Sequence, residues 1–222
     1  MSTTINILVI LTSQATMATT RARPACGSRN CPRRTTPSST QARRWTSPPS
    51  PAAEGKNPPS VERFLKDKAA MATLEGSFKI DNVTPEGYSA VFLPGGHGTM
   101  WDLPKSTKLA ELLSSAWAEG KVVSAVRHGP AGLVNVKDTN GQPLVAGRRV
   151  AAFTDSEEAA AGLTDKVPFL LETRIRGLGA KYESGPDFQP FAVRDGKLVT
   201  GQNPASSEKV AELVLEAVRE AP

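Results

Sequence analysis

The sequence has few cysteines, few histidines and no long apolar run. Its 222 residues include two cysteines, Cys26 and Cys31, and two histidines, His97 and His128. That is too few for a disulfide scaffold, and the C-x4-C spacing with so few imidazoles argues against a metal site, so we expect no metal and no cofactor. No stretch of 18 apolar residues is present, which argues against a membrane span. The N-terminus lacks the charged region of a signal peptide, so a cytoplasmic location is expected.

Positive charge is concentrated in residues 14–60. The formal net charge is +5, but this segment alone carries eight Lys or Arg and one acid, Glu54, and the rest of the chain is net −2. The segment holds eight of the 18 prolines, and its only large apolar residues are Met17 and Trp45. Such a composition cannot bury enough apolar surface to offset the entropy of ordering, so it predicts a disordered basic linker. Its charge favours weak attraction to phosphate, but no specific nucleic-acid binding is expected without a groove-reading motif.

Outside this segment, apolar patterning predicts alternating strands and helices in a single domain spanning residues 1–222. Short apolar runs typical of buried strands occupy residues 5–11, 88–93, 122–126 and 149–154. Helical periodicity occupies residues 61–74, 109–117, 169–178 and 206–221. Asp195-Gly196 lies at the centre of a predicted hairpin, and Asp155 or Ser156 is a candidate helix cap. The alternation predicts an α/β fold of the flavodoxin-like, doubly wound type, with a mostly parallel sheet flanked by helices.

One stretch combines features of a reactive site. A buried strand at residues 122–126 is followed at once by Arg127-His128-Gly129-Pro130, where proline suits the first turn of a helix. In a nucleophile elbow, such a strand–turn–helix junction raises one side chain above the carboxyl edge of the sheet. A second strand ends in Pro94-Gly95-Gly96-His97-Gly98, and we expect this loop to meet the elbow at that edge.

These motifs resemble the ThiJ/PfpI superfamily (class I glutamine amidotransferase-like), in the branch of glyoxalase III and related heat-shock chaperones. The elbow is similar to the family form Ala-Val-Cys-His-Gly-Pro, and the loop at Gly95 and Gly96 resembles the family's oxyanion loop. Residues 155–158 and 200–206 resemble further segments of the larger members. The match covers about three quarters of the chain, with four motifs in the family's order.

The resemblance implies a glutathione-independent glyoxalase III (D-lactate dehydratase) that converts methylglyoxal to D-lactate. A cysteine would attack the aldehyde, a neighbouring His and Glu would move protons, and Gly95, Gly96 and the elbow backbone at Gly129 would hold the oxyanion. Relatives are also associated with protection of glycated or unfolded proteins, and they often form homodimers. The implied partners are therefore a small aldehyde or a damaged protein.

Two departures from the family pattern bear on activity. Arg127 stands at the nucleophile position, and a guanidinium that stays protonated is neither nucleophile nor base. The family's glutamate in the first helix, within a pattern like Gly-x-Trp-x-Glu-Glu, has no counterpart in residues 14–60, because Glu54 lies too late. We therefore expect impaired activity, with a pseudoenzyme acting as chaperone or binding module as the alternative.

The composition of residues 14–60 also suggests how the glutamate was lost. Arg, Pro, Ser, Thr and Ala are what GC-rich DNA tends to encode out of frame, so we hypothesise compensating frameshifts that replaced the first helix and second strand. Losing both would leave one sheet face and one edge uncovered, which predicts a marginally stable chain.

Several candidate site residues have two interpretations. His128 is either a catalytic imidazole or a hydrogen-bonded elbow residue, and the motif favours the site position. His97 either lines the pocket or only shapes its loop. Glu157 and Glu158 are favoured as a solvated first helical turn, although one of them could instead orient His128. Cys26 and Cys31 are interpreted as passive thiols.

Overall fold

The computed structural model describes residues 5–13 and 59–221. The predictions for residues 14–58, including the basic linker, Cys26, Cys31 and Glu54, lie outside the described residues. No helix within the described ranges is long and apolar enough to cross a membrane.

The core of the fold is a five-stranded sheet with the order β1-β2-β3-β7-β6. The first four strands in that order pair in parallel, and β6 pairs antiparallel with β7. A separate parallel pair is formed by β4 and β5. The strands of the described residues are β1 Ile7–Val9, β2 Ala90–Leu93, β3 Val122–Val126, β4 Arg149–Val150, β5 Lys181–Tyr182, β6 Ala192–Asp195 and β7 Leu198–Gly201. The mostly parallel α/β fold predicted from the sequence is confirmed.

Helices pack on both faces of this sheet. The helices of the described residues are α1 Pro59–Lys66, α2 Lys68–Glu75, α3 Thr99–Asp102, α4 Thr107–Ala118, α5 Asp155–Ala160, α6 Leu171–Gly177 and α7 Ser207–Glu220. The alternation of side chains along β3 separates two apolar clusters. Val123 and Ala125 belong to the larger cluster with the apolar face of α4, whereas Val122 and Val126 pack with α7. All five residues of β3 are buried, which explains its continuous apolar run.

One predicted helical segment is divided in the structure. The single helix predicted at residues 61–74 is two helices, and it begins two residues earlier, at Pro59. The break falls at Asp67, whose Oδ1 accepts hydrogen bonds from the amides of Ala69 and Ala70 at 3.0 Å each. An aspartate that caps the next helix in this way competes with continuation of the previous one.

The strand predicted at residues 149–154 is wrong beyond its first two residues. Only Arg149–Val150 is a strand, and it pairs with β5 and not with the main sheet. The chain then crosses the end of the main sheet: the amide of Ala151 donates to Thr200 Oγ1 at 2.9 Å, and that of Phe153 donates to the carbonyl of Arg127 at 3.0 Å. These bonds satisfy the buried backbone without a ladder. They also carry residues 151–154 to the elbow.

The predicted cap of α5 is also wrong by one residue. Thr154, and not Asp155 or Ser156, is the N-cap, and it forms a capping box with Glu157. The backbone crossing therefore delivers the first turn of α5 directly to the carboxyl end of β3.

Candidate active site

The elbow after β3 is a strained turn. Arg127 has a φ of 61°, a left-handed conformation that is unfavourable for a residue with a side chain. Its amide donates to the carbonyl of Gly201 at 2.9 Å, and its own carbonyl accepts from Phe153 at 3.0 Å. A 3₁₀ turn, Gly129–Leu133, follows, where a longer helix had been predicted to begin. Neighbouring segments thus hold the apex in the geometry of a nucleophile elbow.

The loop at residues 95–98 lies directly against this elbow. A Cβ placed on Gly95 would lie 2.5 Å from the carbonyl oxygen of Val126 and 2.6 Å from Cβ of Arg127. A Cβ on Gly129 would collide with the carbonyl of Leu93. Both positions therefore need glycine for close approach and not for an unusual φ. The two motifs meet at the carboxyl edge of the sheet.

Glu158 joins the two histidines of the chain. Its Oε1 lies 2.9 Å from Nε2 of His97, and its Oε2 lies 2.8 Å from Nε2 of His128. The two imidazole rings are 4.1 Å apart between centroids. His128 is fully buried and Glu158 is 2% exposed. One carboxylate therefore orients both imidazoles.

Burial and hydrogen bonding set the charges in this triad. Burial lowers the pKa of His128 to about 4, although its hydrogen bond to Glu158 opposes the shift. Burial alone would raise the pKa of Glu158, but the hydrogen bonds from His128 and His97 outweigh it and lower the value to about 2. At neutral pH a neutral His128 therefore donates its Nε2 proton to an ionised Glu158. This leaves Nδ1 of His128 as a buried lone pair without a hydrogen-bond partner among the described residues.

The guanidinium of Arg127 occupies the space above the elbow. Its Nη2 lies 3.4 Å from Nδ1 of His97, and its Cζ lies 6.0 Å from the centroid of the Phe153 ring. Nε is buried and has no hydrogen-bond partner in the described part of the chain. Burial lowers the pKa of Arg127, and the charges of Glu158 and Glu157 oppose that shift. The side chain at the nucleophile position is thus a cation whose hydrogen-bond contact among the described residues, to His97, is long.

Glu157 is a structural anchor, and the interpretation of Glu157 and Glu158 as a solvated helical turn is wrong. Both side chains are buried, at 0% and 2% exposure. Oε1 of Glu157 accepts from the amide of Phe188 at 2.7 Å and from Nδ2 of Asn203 at 2.8 Å. Its Oε2 accepts from the amide of Thr154 at 3.0 Å. Neutral donors from three segments thus satisfy the hydrogen-bonding capacity of the carboxylate. These contacts bury the first turn of α5.

Two aromatic side chains, not predicted as site residues, border the imidazoles. The ring of Phe153 lies 4.4 Å from that of His128 between centroids, and the ring of Phe188 lies 6.4 Å from Phe153. Phe188 has a φ of 60° and is 50% exposed. The hydrogen bond that its backbone amide donates to Oε1 of Glu157 holds this conformation. No local signal marks Phe188, because an exposed phenylalanine between turn residues has many ordinary explanations.

The site also contains backbone amides without acceptors among the described residues and a group of side chains that can bind a metal ion. Within the described ranges, the amides of Gly96 and His128 have no hydrogen-bond acceptor; His128 is fully buried, whereas Gly96 is partly exposed and can reach an oxygen of a ligand. The ligand atoms of His97, His128 and Glu158 lie within 4.8 Å of one another, a spacing that a metal ion could use. The neighbouring guanidinium disfavours a second cation there, and the absence of a metal stays a prediction.

Known proteins resemble the chain over this region. The sequence profile of the DJ-1/PfpI family matches residues 66–217. Glyoxalase 3 of Candida albicans is 39% identical over 146 residues, which cover 63% of this chain and 61% of that protein. Glutathione-independent glyoxalase HSP31 of Saccharomyces cerevisiae is 38% identical over 146 residues, which cover 62% of this chain and 60% of that protein. The chain thus spans about three fifths of the length of these curated relatives.

Solved structures agree in fold. The crystal structure of glyoxalase III from Candida albicans superposes with a TM-score of 0.65 at 33% identity, covering 71% of this chain and 68% of that one. Rapid Encystment Protein 24 KDa of Francisella tularensis superposes with a TM-score of 0.70 at 34% identity, covering 74% and 73%.

Proposed function

Because the chain belongs to the DJ-1/PfpI family, in the branch of the glyoxalase III proteins, we propose that it is a glutathione-independent glyoxalase in which the covalent step is impaired. The resemblance predicted from the sequence is confirmed. One observation carries the proposal: a strained elbow beside two imidazoles presents the guanidinium of Arg127 where the family reaction needs a thiol.

The remaining geometry suits the family chemistry. A thiolate at position 127 would attack the aldehyde carbon of methylglyoxal and form a hemithioacetal. The new oxyanion would lie beside the free amides of Gly96 and His128. An imidazole oriented by Glu158 would then move the proton from one carbon to the next, which gives a lactoyl thioester. Water would hydrolyse its C–S bond to release D-lactate and return the thiol. Arg127 has no lone pair to start this sequence, and loss of a covalent nucleophile lowers turnover by several orders of magnitude in comparable enzymes.

Reversion of Arg127→Cys tests the proposal. We expect the parent to consume methylglyoxal no faster than an Arg127→Ala control, and the revertant to form D-lactate measurably. Equal turnover by parent and revertant would contradict an impaired covalent step. If neither variant turns over, the missing glutamate of the family's first helix limits activity as well.

The alternative is a pseudoenzyme that acts as a chaperone or binding module for unfolded or glycated protein. Large apolar side chains that are about half exposed favour it: Val9, Phe64, Leu65 and Phe78. Suppression of the aggregation of a heat-denatured client, without turnover by the Arg127→Cys revertant, would support this function. A homodimer and a cytoplasmic location stay predictions; light scattering on the purified chain tests the first.

A further inference from the structure

Among the described residues, the charge of Arg127 has no contacting counter-ion. In these ranges no carboxylate oxygen lies within 4.0 Å of its guanidinium, although seven other Lys or Arg side chains form ion pairs. Within the same part of the chain, Nη2 contacts Nδ1 of His97 at 3.4 Å, and Nε is buried without a partner. A guanidinium has five N–H donors, and leaving charged donors unsatisfied in a buried setting is costly. Within the described residues, the side chain therefore has no negatively charged hydrogen-bond acceptor.

The nearest acids do not supply that acceptor. Both oxygens of Glu158 accept from imidazoles, and those of Glu157 accept from backbone and amide donors. Their negative charges still act on the site through space, which limits how tightly a further anion binds. An occupant would therefore bind weakly, with a dissociation constant on the order of millimolar.

A second kind of donor lies beside the guanidinium. The amide of Gly96, a partly exposed residue, is free of acceptors among the described residues. Its loop meets the elbow so closely that Gly95 has no room for a Cβ. Neutral amide donors suit a carbonyl oxygen, whereas a planar guanidinium suits a carboxylate. Half-exposed Phe188, whose ring lies 6.4 Å from that of Phe153 between centroids, adds apolar surface beside these donors.

We propose that Arg127 makes this site a receptor for a small 2-oxo monocarboxylate. The guanidinium binds the carboxylate, the amide of Gly96 binds the 2-oxo oxygen, and the apolar end of the ligand contacts Phe153 and Phe188. This goes beyond the proposed function, because it concerns binding by the unmodified chain and needs no turnover.

Pyruvate is the probe for this proposal, with acetone as the uncharged comparison. The full-length parent, Arg127→Gln and Arg127→Cys are titrated by calorimetry and by ligand-observed NMR at constant ionic strength. Arg174→Gln is the matched control, because this exposed arginine stacks on Phe169, 4.7 Å from the ring centroid, and lies outside the site. We expect saturable pyruvate binding by the parent, about tenfold or more weakened by either Arg127 substitution. Arg174→Gln should bind as the parent does, and acetone should not bind.

Three results would overturn the proposal. They are equal affinity in the parent and Arg127→Gln, an equal loss in Arg174→Gln, or no saturable pyruvate binding by the parent. Circular dichroism and urea midpoints of each variant show whether a loss of binding reflects unfolding, and Arg127→Cys provides a second variant with the residue usual in the family. Turnover by Arg127→Cys tests the proposed function separately, so either proposal can fail alone.

Discussion

The buried imidazole of His128 should make the chain acid-sensitive in a pH range where few other groups titrate. Its pKa is about 4 in the folded protein, against an ordinary value of 6.5. Above pH 6.5 both the folded and the unfolded states are neutral at this residue, so stability is unaffected there. As the pH falls below 6.5, the unfolded chain binds a proton that the folded chain refuses, and the free energy of unfolding decreases. The loss continues until the pH reaches about 4.

The two pKa values define the size of the effect. Each pKa unit corresponds to about 1.4 kcal/mol, so the free energy of unfolding should fall by about 2 kcal/mol between pH 7.5 and pH 5. The chain contains only two histidines, and ordinary carboxylates titrate mainly below this range. Few other side chains therefore titrate between pH 6.5 and pH 5, where the loss due to His128 is expected.

Urea unfolding at several pH values between 5 and 7.5 measures this loss. His128→Gln is the matched variant, because its side-chain amide can still donate to Glu158 but does not titrate. We expect the pH dependence of the parent to be much steeper than that of the variant. A flat urea midpoint in the parent, or the same slope in both proteins, would refute the assignment of a buried neutral imidazole to His128.

Three further perturbations follow from the same contacts. Gly129→Ala should destabilise the fold by about 2 kcal/mol or more, because a Cβ there collides with the Leu93 carbonyl; urea unfolding measures it, with exposed Gly177→Ala, where a Cβ meets nothing within 4 Å, as a comparison. Glu157→Ala should lower the free energy of unfolding by about 2–4 kcal/mol, since several buried donors lose their acceptor, and Glu157→Gln should lower it less; equal loss in both would contradict the anchoring role. In the Arg127→Cys background, Glu158→Gln should reduce any restored turnover at least tenfold, and an unchanged rate would count against Glu158 as the orienting group.

Local patterns were sufficient to predict much of the architecture. The apolar runs predicted β2 and β3 because a strand buried on both faces is apolar without alternation. The amphipathic pattern predicted α7, and Asp195-Gly196 predicted the hairpin of β6 and β7. The short pairing of β4 was not predictable, because residues 149–154 have the composition of a strand while distant polar groups take their backbone hydrogen bonds.

For the candidate site, the sequence by itself determined which chemistry is present and which is missing. The roles of the glycines at positions 95 and 129 and the loss of a nucleophile at position 127 could be predicted from the motifs. The lack of a Cβ and the lack of a nucleophilic lone pair are properties of these residue types themselves. Only the tertiary structure decided that Glu158 joins both imidazoles, that Glu157 is buried, and that Phe188 lies beside Phe153. His97 and Glu158 are 61 residues apart in the chain. Periodicity describes neighbours within a turn or a strand, whereas a contact at that separation depends on where the sheet and its connections bring each segment.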